Sequence, residues 1–252
     1  MHDSTLRVCA LYPDLMNIYA DRGNILLLER RCAWRGIGFT LTGAGIGDEI
    51  DPAAHDLLYI GGGQDRDQLL CARDLVEVKR DALHAAAARG AVILGVCGGY
   101  QLLGHSYVIG DEEIRGVGLL DLVTVREDGP RLIGNVAIEV DLPDPTHPGA
   151  SPRVLAGFEN HGGRTRLGPA GQPLGRVLRG HGNDGATGLE GGRDGSVIGT
   201  YLHGPLLPKN AWFADWLVQT ALGMSTPLDA LDDRLEDAAH AAARRAAGLA
   251  AA

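Results

Sequence analysis

Ala91-Val-Ile-Leu-Gly95-Val-Cys97-Gly-Gly-Tyr-Gln101-Leu-Leu-Gly104 is the stretch on which the reading of this chain turns. A β-branched apolar run ends in Gly95-Val-Cys97, two glycines follow, and Tyr-Gln-Leu-Leu then reads as a helix. Strand, sharp turn and helix in that order place the cysteine at the apex of an elbow, exposed at the C-terminal end of a parallel strand. The first N–H groups of the following helix then point at whatever the side chain attacks. Proximity to the positive end of a helix dipole favours the thiolate. Free cysteine is more often a packing residue. Cys9, in an apolar strand-like run, and Cys32, in a helical one, are read that way, and Cys71 stays open. At Cys97 the flanking glycines would weaken a plain strand or helix, so they serve a tight turn or a close backbone approach. Cys97 is therefore the candidate nucleophile.

Working outward, Leu6–Tyr12, Gly38–Thr42 and His55–Ile60 read as buried strands, and the last ends in Gly61-Gly62-Gly63. Apolar spacing predicts helices over Asn17–Arg35 and Asp74–Arg89, each closed by a glycine. Alternating strands and helices predict an α/β fold, a mostly parallel central sheet with flanking helices. Beyond Ser106 the glycine-rich segments Val117–Val125, Arg131–Val140, Leu155–Asn160 and Arg176–Leu178 predict added antiparallel or mixed strands. Gly195–Leu202 returns to a buried strand that ends at His203, and Asn210–Leu222 is an amphipathic helix carrying Trp212, Phe213 and Trp216. Pro227 separates residues 1–227, one domain, from an Ala-rich, charged extension over 228–252 that reads as a terminal helix, loosely packed or partly disordered.

The chain has 252 residues, 45% of them hydrophobic, and can bury a large core without disulfides or metals. A net charge of −9 with no basic run argues against a nucleic-acid surface. The four cysteines contain no Cys-x-x-Cys pair, which argues against a zinc site or a disulfide framework. The start, Met1-His-Asp-Ser, lacks a basic region followed by an apolar one, so no signal peptide is expected. No apolar run approaches the ~20 residues that span a bilayer. A cytoplasmic protein is expected.

Two more strand ends carry candidate chemistry. His203 follows Val-Ile-Gly-Thr-Tyr-Leu, so it faces the crevice where open α/β sheets bind ligands. It is placed to act as base and then acid for Cys97. Gly61-Gly62-Gly63 lets backbone N–H groups approach a substrate, and this loop, sharing the task with the N–H of Gly98, is the candidate oxyanion hole. A phosphate loop and a dinucleotide fingerprint are both missing, so no cofactor site is expected in this chain.

Gly95-Val-Cys97-Gly-Gly-Tyr-Gln101 resembles the nucleophile signature of the class I, triad-type glutamine amidotransferases. Tyr59-Ile-Gly-Gly-Gly-Gln-Asp65, Gly157-Phe-Glu-Asn-His-Gly-Gly163 and Gly199-Thr-Tyr-Leu-His-Gly204 resemble the cobyric-acid-synthase-like branch. Leu15-Met-Asn-Ile-Tyr-Ala-Asp-Arg-Gly-Asn24 and Arg131-Leu-Ile-Gly-Asn135 look like the glutaminase subunits of lipid II isoglutaminyl synthases. The likeness extends to about residue 222. It implies a single-domain amidotransferase fold in which Cys97 attacks the carboxamide of L-glutamine, His203 is base and acid, and Gly63 and Gly98 are oxyanion donors. Arg131 would pair with the glutamine α-carboxylate. Gln101 occupies a substrate-side position or supports the elbow. Glu159-Asn160-His161 is a family motif read here as structural support. The implied partner is a Mur-ligase-like synthetase subunit, forming a heterodimer and holding ATP and Mg, which amidates the D-glutamate α-carboxylate of lipid II at the inner membrane face. Trp212, Trp216 and the tail are candidate contact surfaces, with a core role favoured for the tryptophans.

One departure stands out. Many triad enzymes carry a carboxylate two residues after the histidine, and here that residue is Pro205. Either another acid of this chain or one from the partner orients His203, and the partner is the favoured source. Two rival expectations are a glutaminase for corrinoid amidation and a non-catalytic scaffold of a ligase.

Overall fold

The computed structural model describes residues 4–17, 22–109, 111–142 and 152–250. The elements are, in chain order, β1 (Thr5–Leu11), α1 (Arg22–Ala33), β2 (Gly38–Ala44), β3 (Leu57–Ile60), α2 (Asp65–Asp74), α3 (Arg80–Ala88), β4 (Val92–Val96) and α4 (Gly98–Leu103). There follow β5 (Ser106–Ile109), β6 (Glu112–Arg115), β7 (Leu122–Arg126), β8 (Leu132–Val140), β9 (Arg153–His161), β10 (Gly163–Leu167) and β11 (Gly175–Arg179). The last elements are β12 (Leu189–Glu190), β13 (Gly192–Asp194), β14 (Val197–Thr200), α5 (Ala211–Ala221) and α6 (Arg234–Ala246).

The core is a six-stranded sheet in the order β13-β14-β4-β3-β1-β2, parallel throughout except for the β13 edge. Every residue of β3, β4 and β14 is buried, as expected of central strands covered by helices on both faces. This is the α/β architecture the sequence predicts. The added strands form two further sheets, β10-β7-β5-β6 and β12-β11-β8-β9. The second is antiparallel, and the first is mixed, because β5 pairs with β7 in parallel.

Three details differ from the expectation. The helix expected from Asp74 begins at Asp65, and a π-helical turn, Leu75–Lys79, joins α2 to α3. Its first two turns look polar, but Gln68, Cys71, Ala72 and Leu75 form a buried stripe at helical spacing. The strand expected over Val117–Val125 is confined to β7, and β5, β6, β10, β12 and β13 appear where no strand is expected. The C-terminal helix is shorter than 228–252. It packs on α5, on β8 and β9, and on the 3₁₀ turn Leu207–Lys209. The segment before it is tied down by charge: buried Arg31 pairs with Asp215 and Asp233, and Arg35 donates to the Asp229 carbonyl at 2.7 Å. Ile18–Asp21 of the Leu15–Asn24 motif lies outside the described residues. No helix among the described residues is long and apolar enough to cross a membrane.

Candidate active site

Cys97 caps α4 at the end of β4 with φ 54° and ψ −106°, a backbone conformation that a side chain adopts only under strain. The turn is held from both sides. The Cys97 N–H donates to the Thr200 carbonyl at 2.8 Å, and the Gly99 N–H donates to the Gly61 carbonyl at 3.0 Å. Close approach makes glycine necessary at 99, since a Cβ there would lie 2.3 Å from the Ile60 carbonyl oxygen. The same approach brings the Gly61-Gly62-Gly63 loop against the elbow: a Cβ on Gly98 would lie 3.1 Å from the Gly63 nitrogen. Thus the structure brings Cys97, Gly98 and Gly63 together. Of the four cysteines Cys97 is the most accessible, at 8%, against 1% or less for the others. Burial pushes the Cys9 thiol up and the Cys32 and Cys71 thiols to about 12, so these three are packing residues.

Behind the elbow runs a buried polar chain. Gln68 Nε2 donates to Gln101 Oε1 at 2.8 Å and to the Gly98 carbonyl at 3.2 Å. Gln101 Nε2 donates to the Tyr201 hydroxyl at 3.1 Å, which bonds Thr165 Oγ1 at 2.7 Å, and Thr165 bonds Thr124 Oγ1 at 2.7 Å. Gln101 thus spends both ends of its amide bracing α4, one end against α2 and the other, through Tyr201, against β10 and β7. Of the two roles left open for it, the geometry favours support of the elbow. Gln68, Tyr201 and Thr165 were not visible as site residues in the sequence.

His203 leaves the strand next to the elbow. β14 pairs with β4 in parallel, Thr200 opposite Val96, so Cys97 and His203 depart from adjacent strand ends. The His203 backbone is bridged to Phe158 of β9 by hydrogen bonds of 2.9 and 3.1 Å, and the Phe158 ring meets the imidazole edge-on with centroids 5.8 Å apart. His203 is 1% exposed. Burial first, then the positive charges of Lys209 and Arg131, lower its pKa to about 4. It is therefore neutral at pH 7, the form a general base requires.

Arg131 reaches the same region from the start of β8. Its Nε donates to Asn160 Oδ1 and a terminal nitrogen to the Asn160 carbonyl, both at 2.8 Å. Next to Asn160, the His161 ring stacks on Tyr201 with centroids 3.5 Å apart. His161 Nδ1 donates to the Gly163 carbonyl at 2.8 Å, and burial lowers its pKa to about 3. The buried carboxylates nearby serve the backbone. Glu159 accepts from the N–H groups of His181 and Gly182, at 2.7 and 2.9 Å. Glu190 accepts from the Tyr201 N–H at 2.6 Å and from Thr200 Oγ1 at 3.1 Å, and burial raises it to about 8. Within Glu159-Asn160-His161, then, Glu159 fastens a loop, Asn160 holds Arg131, and His161 stacks against the residue beside the elbow. Trp216 is buried, stacked on Phe213, while half-buried Trp212 donates to the Val154 carbonyl at 3.2 Å under the Arg153 guanidinium. Among the described residues no cluster of histidine, cysteine or carboxylate side chains could hold a metal. A strained cysteine, a neutral histidine at the adjacent strand end and two glycines packed against each other at the elbow are the parts that acyl transfer from a carboxamide uses.

Comparison with known proteins agrees with that chemistry. The sequence pattern of the CobB/CobQ-like glutamine amidotransferase domain matches residues 7–211. The lipid II isoglutaminyl synthase (glutamine-hydrolyzing) subunit GatD of Streptococcus pneumoniae is 37% identical over 235 residues, covering 91% of this chain and 87% of that one. The subunit of the same name from Staphylococcus aureus is 37% identical over 222 residues, covering 88% and 85%. In backbone, a chain of the PurLQS structure from Thermotoga maritima superimposes with a TM-score of 0.58 at 20% identity, covering 87% of this chain and 96% of that one.

Proposed function

The chain belongs to the CobB/CobQ-like glutamine amidotransferase family, and from that premise we propose that it is the glutamine-hydrolysing subunit of a lipid II isoglutaminyl synthase. The observation that carries the chemistry is Cys97 in left-handed backbone at the end of β4, with His203 leaving the adjacent strand end. Cys97 Sγ attacks the side-chain carboxamide carbon of L-glutamine while His203 takes the thiol proton. The N–H groups of Gly63 and Gly98 receive the developing oxyanion. His203 returns the proton to the leaving nitrogen, ammonia departs, and a glutamyl thioester remains. Water, activated by His203, then releases glutamate. Arg131 pairs with the substrate α-carboxylate, its guanidinium already oriented by Asn160.

Ammonia passes to a Mur-ligase-like synthetase subunit, with which this chain forms a heterodimer. That subunit binds ATP and Mg and activates the D-glutamate α-carboxylate of lipid II, which becomes the amide of D-isoglutamine. The complex works in the cytoplasm at the inner face of the membrane, where its acceptor lies. With Pro205 two residues after His203, and with Glu159 and Glu190 bound to backbone amides, the acid that orients the imidazole is assigned to the synthetase subunit. Glutamine hydrolysis is accordingly slow in the isolated chain and rises on complex formation.

The test is amidation of lipid II by the purified complex with ATP and glutamine, followed by mass spectrometry. Wild type is expected to convert carboxyl to amide. Cys97→Ala is expected to lose at least a thousandfold with glutamine and to retain conversion with added ammonium. Glutamine hydrolysis with no change in lipid II would leave the amidotransferase chemistry standing and remove the acceptor.

A further inference from the structure

Lys209 is the unusual charge near the site. It ends the 3₁₀ turn Leu207–Lys209, a few residues beyond His203. A Cβ placed on Gly204 would lie 3.4 Å from Lys209 Nζ, so the ammonium rests on the turn that carries His203. The side chain is partly buried, and among the described residues the hydrogen bond that reaches Lys209 from outside the turn is accepted by its backbone carbonyl, not made by its ammonium. Burial holds its pKa below the ordinary lysine value. A cation kept in this condition is costly, and the surrounding fold does not let it move to a better place. The Leu207 N–H donates to Asn24 Oδ1 at 2.8 Å, and Asn210 Nδ2 donates to the carbonyls of Ala156 and Leu206, both at 2.8 Å. From α6, His240 Nδ1 donates to the Lys209 carbonyl at 2.9 Å. The backbone of Lys209 is therefore pinned from α1, β9 and the C-terminal helix.

We propose that Lys209 is a positioning residue for glutamine hydrolysis: its ammonium, fixed on the Gly204 turn by the C-terminal helix, sets the charge environment in which His203 accepts its proton. This rests on the hydrolytic role proposed above for Cys97 and His203. Within this chain Arg131 and Lys209 bring positive charge to the imidazole and His161 is a neutral ring from the end of β9. Cys97 leaves the adjacent strand end with its thiol, and in the complex the acid assigned above to the synthetase subunit acts with the opposite sign to the two cations. Phe158 closes one edge without charge. A cation disfavours the imidazolium, so Lys209 keeps the base able to take a proton at a pH where a histidine beside no charge would begin to be protonated. It also favours the developing thiolate. The sign is definite. Removing the ammonium raises the pH at which His203 protonates and moves the acid limb of the activity profile to higher pH.

The experiment measures kcat/KM for glutamine hydrolysis from pH 3.5 to 9 in the full chain with its synthetase partner, for wild type, Lys209→Met and Lys209→Arg. Methionine keeps an apolar stem of similar length and removes only the charge. The acid limb of Lys209→Met is expected to move up by about one pH unit, roughly a tenfold loss on that limb with the alkaline plateau retained. Lys209→Arg is expected to restore the wild-type profile. In parallel, the His203 ring resonances of the full chain are titrated by NMR, and the methionine variant is expected to titrate about one unit higher than wild type. An unshifted titration, or an equal loss at all pH values that arginine does not recover, overturns the proposal and leaves Lys209 a packing residue. Absence of hydrolysis in the wild-type complex would instead overturn the functional reading, and the NMR midpoints would still decide what Lys209 does to His203.

Discussion

Tyr12, just past the end of β1, and Cys97, just past the end of β4, share a positive φ, 52° and 54°, and the surroundings of the two strand ends are opposite in kind. At Tyr12 every charge is closed off. Its hydroxyl donates to Asp74 Oδ2 at 2.7 Å, Asp74 pairs with fully buried Lys79, and Lys79 Nζ lies 5.0 Å from the centre of the Tyr12 ring. The other Asp74 oxygen accepts the Gly47 N–H at 2.7 Å. The π-helical turn makes this pairing possible. Residues five apart lie on different faces of an α-helix, and the wider turn swings Lys79 back toward Asp74. At Cys97 the strained residue is small, and the charges that bear on its histidine neighbour, Arg131 and Lys209, are both positive. Strain tied into a compensated pair fixes the fold. Strain beside uncompensated charge of one sign is a reactive centre.

The largest effect expected from this contrast lies at the β1 end. Lys79→Met leaves the Asp74 carboxylate buried without its cation, which costs about 3–5 kcal/mol and lowers Tm by roughly 10 °C. Glutamine hydrolysis per folded molecule should stay near the wild-type level, because among the described residues the side-chain hydrogen bonds and ion pair of Asp74 and Lys79 go to Tyr12, Gly47 and each other, not to Cys97, His203, Gly63 or Gly98. A variant that melts normally but hydrolyses glutamine poorly would reverse the assignment of the two ends.

Acid separates the two ends by pH window. His203 and His161 are held at about 4 and about 3, below the ordinary histidine value of 6.5. Between those limits the unfolded chain binds protons that the folded chain refuses, so stability is full above about pH 6.5 and falls as pH drops toward 4. Each histidine is worth about 3 kcal/mol over that interval. Asp74 is held below the ordinary carboxylate value by the Lys79 ammonium and the Tyr12 hydroxyl. Its contribution persists through that window and disappears only below it. Glu190, raised by burial to about 8, binds its proton in the folded chain over the same window and so offsets part of that loss. Urea unfolding at pH 7.5, 5.5 and 4.5 should therefore show a modest net loss in wild type. His161→Phe, which keeps a ring on Tyr201, should flatten it. An equally steep loss in the variant would mean the active-site end does not govern acid stability.

The same contrast explains what could be read from the sequence. Cys97 and His203 were legible because each follows a short β-branched run and a glycine, a local pattern that fixes a strand end before any tertiary contact is known. Gly63 was legible only as one of three glycines, and its meeting with Gly98 depends on α4 seating against β3. Gln68 was hidden because a glutamine occupies a buried stripe position where period arguments look for an apolar residue. Tyr201 and Thr165 sit on elements 36 residues apart in sequence and become a network only through the pairing of separate sheets. The Asp74–Lys79 pair was illegible for another reason: its spacing is wrong for an α-helix, and nothing in Leu75-Val-Glu-Val-Lys79 announces a π-helical turn.

The smallest effect is also the sharpest, because it has opposite signs at the two ends. Cys97→Gly removes the side chain from a conformation that glycine adopts without penalty. The side chain lost is a single CH2–SH group, so relief of the backbone should outweigh it and the variant should gain up to about 1 kcal/mol in urea unfolding while losing all glutamine hydrolysis. Tyr12→Gly relieves the same backbone strain, but it also deletes a buried ring, the hydroxyl bond to Asp74 and the aromatic face over Lys79. Its net change should be a loss of several kcal/mol, because truncating a buried aromatic costs about 3–5 kcal/mol against about 1 regained from the backbone. If both glycine variants were destabilised alike, the Cys97 conformation would be no more strained than its surroundings, and the elbow would have to be explained by packing alone.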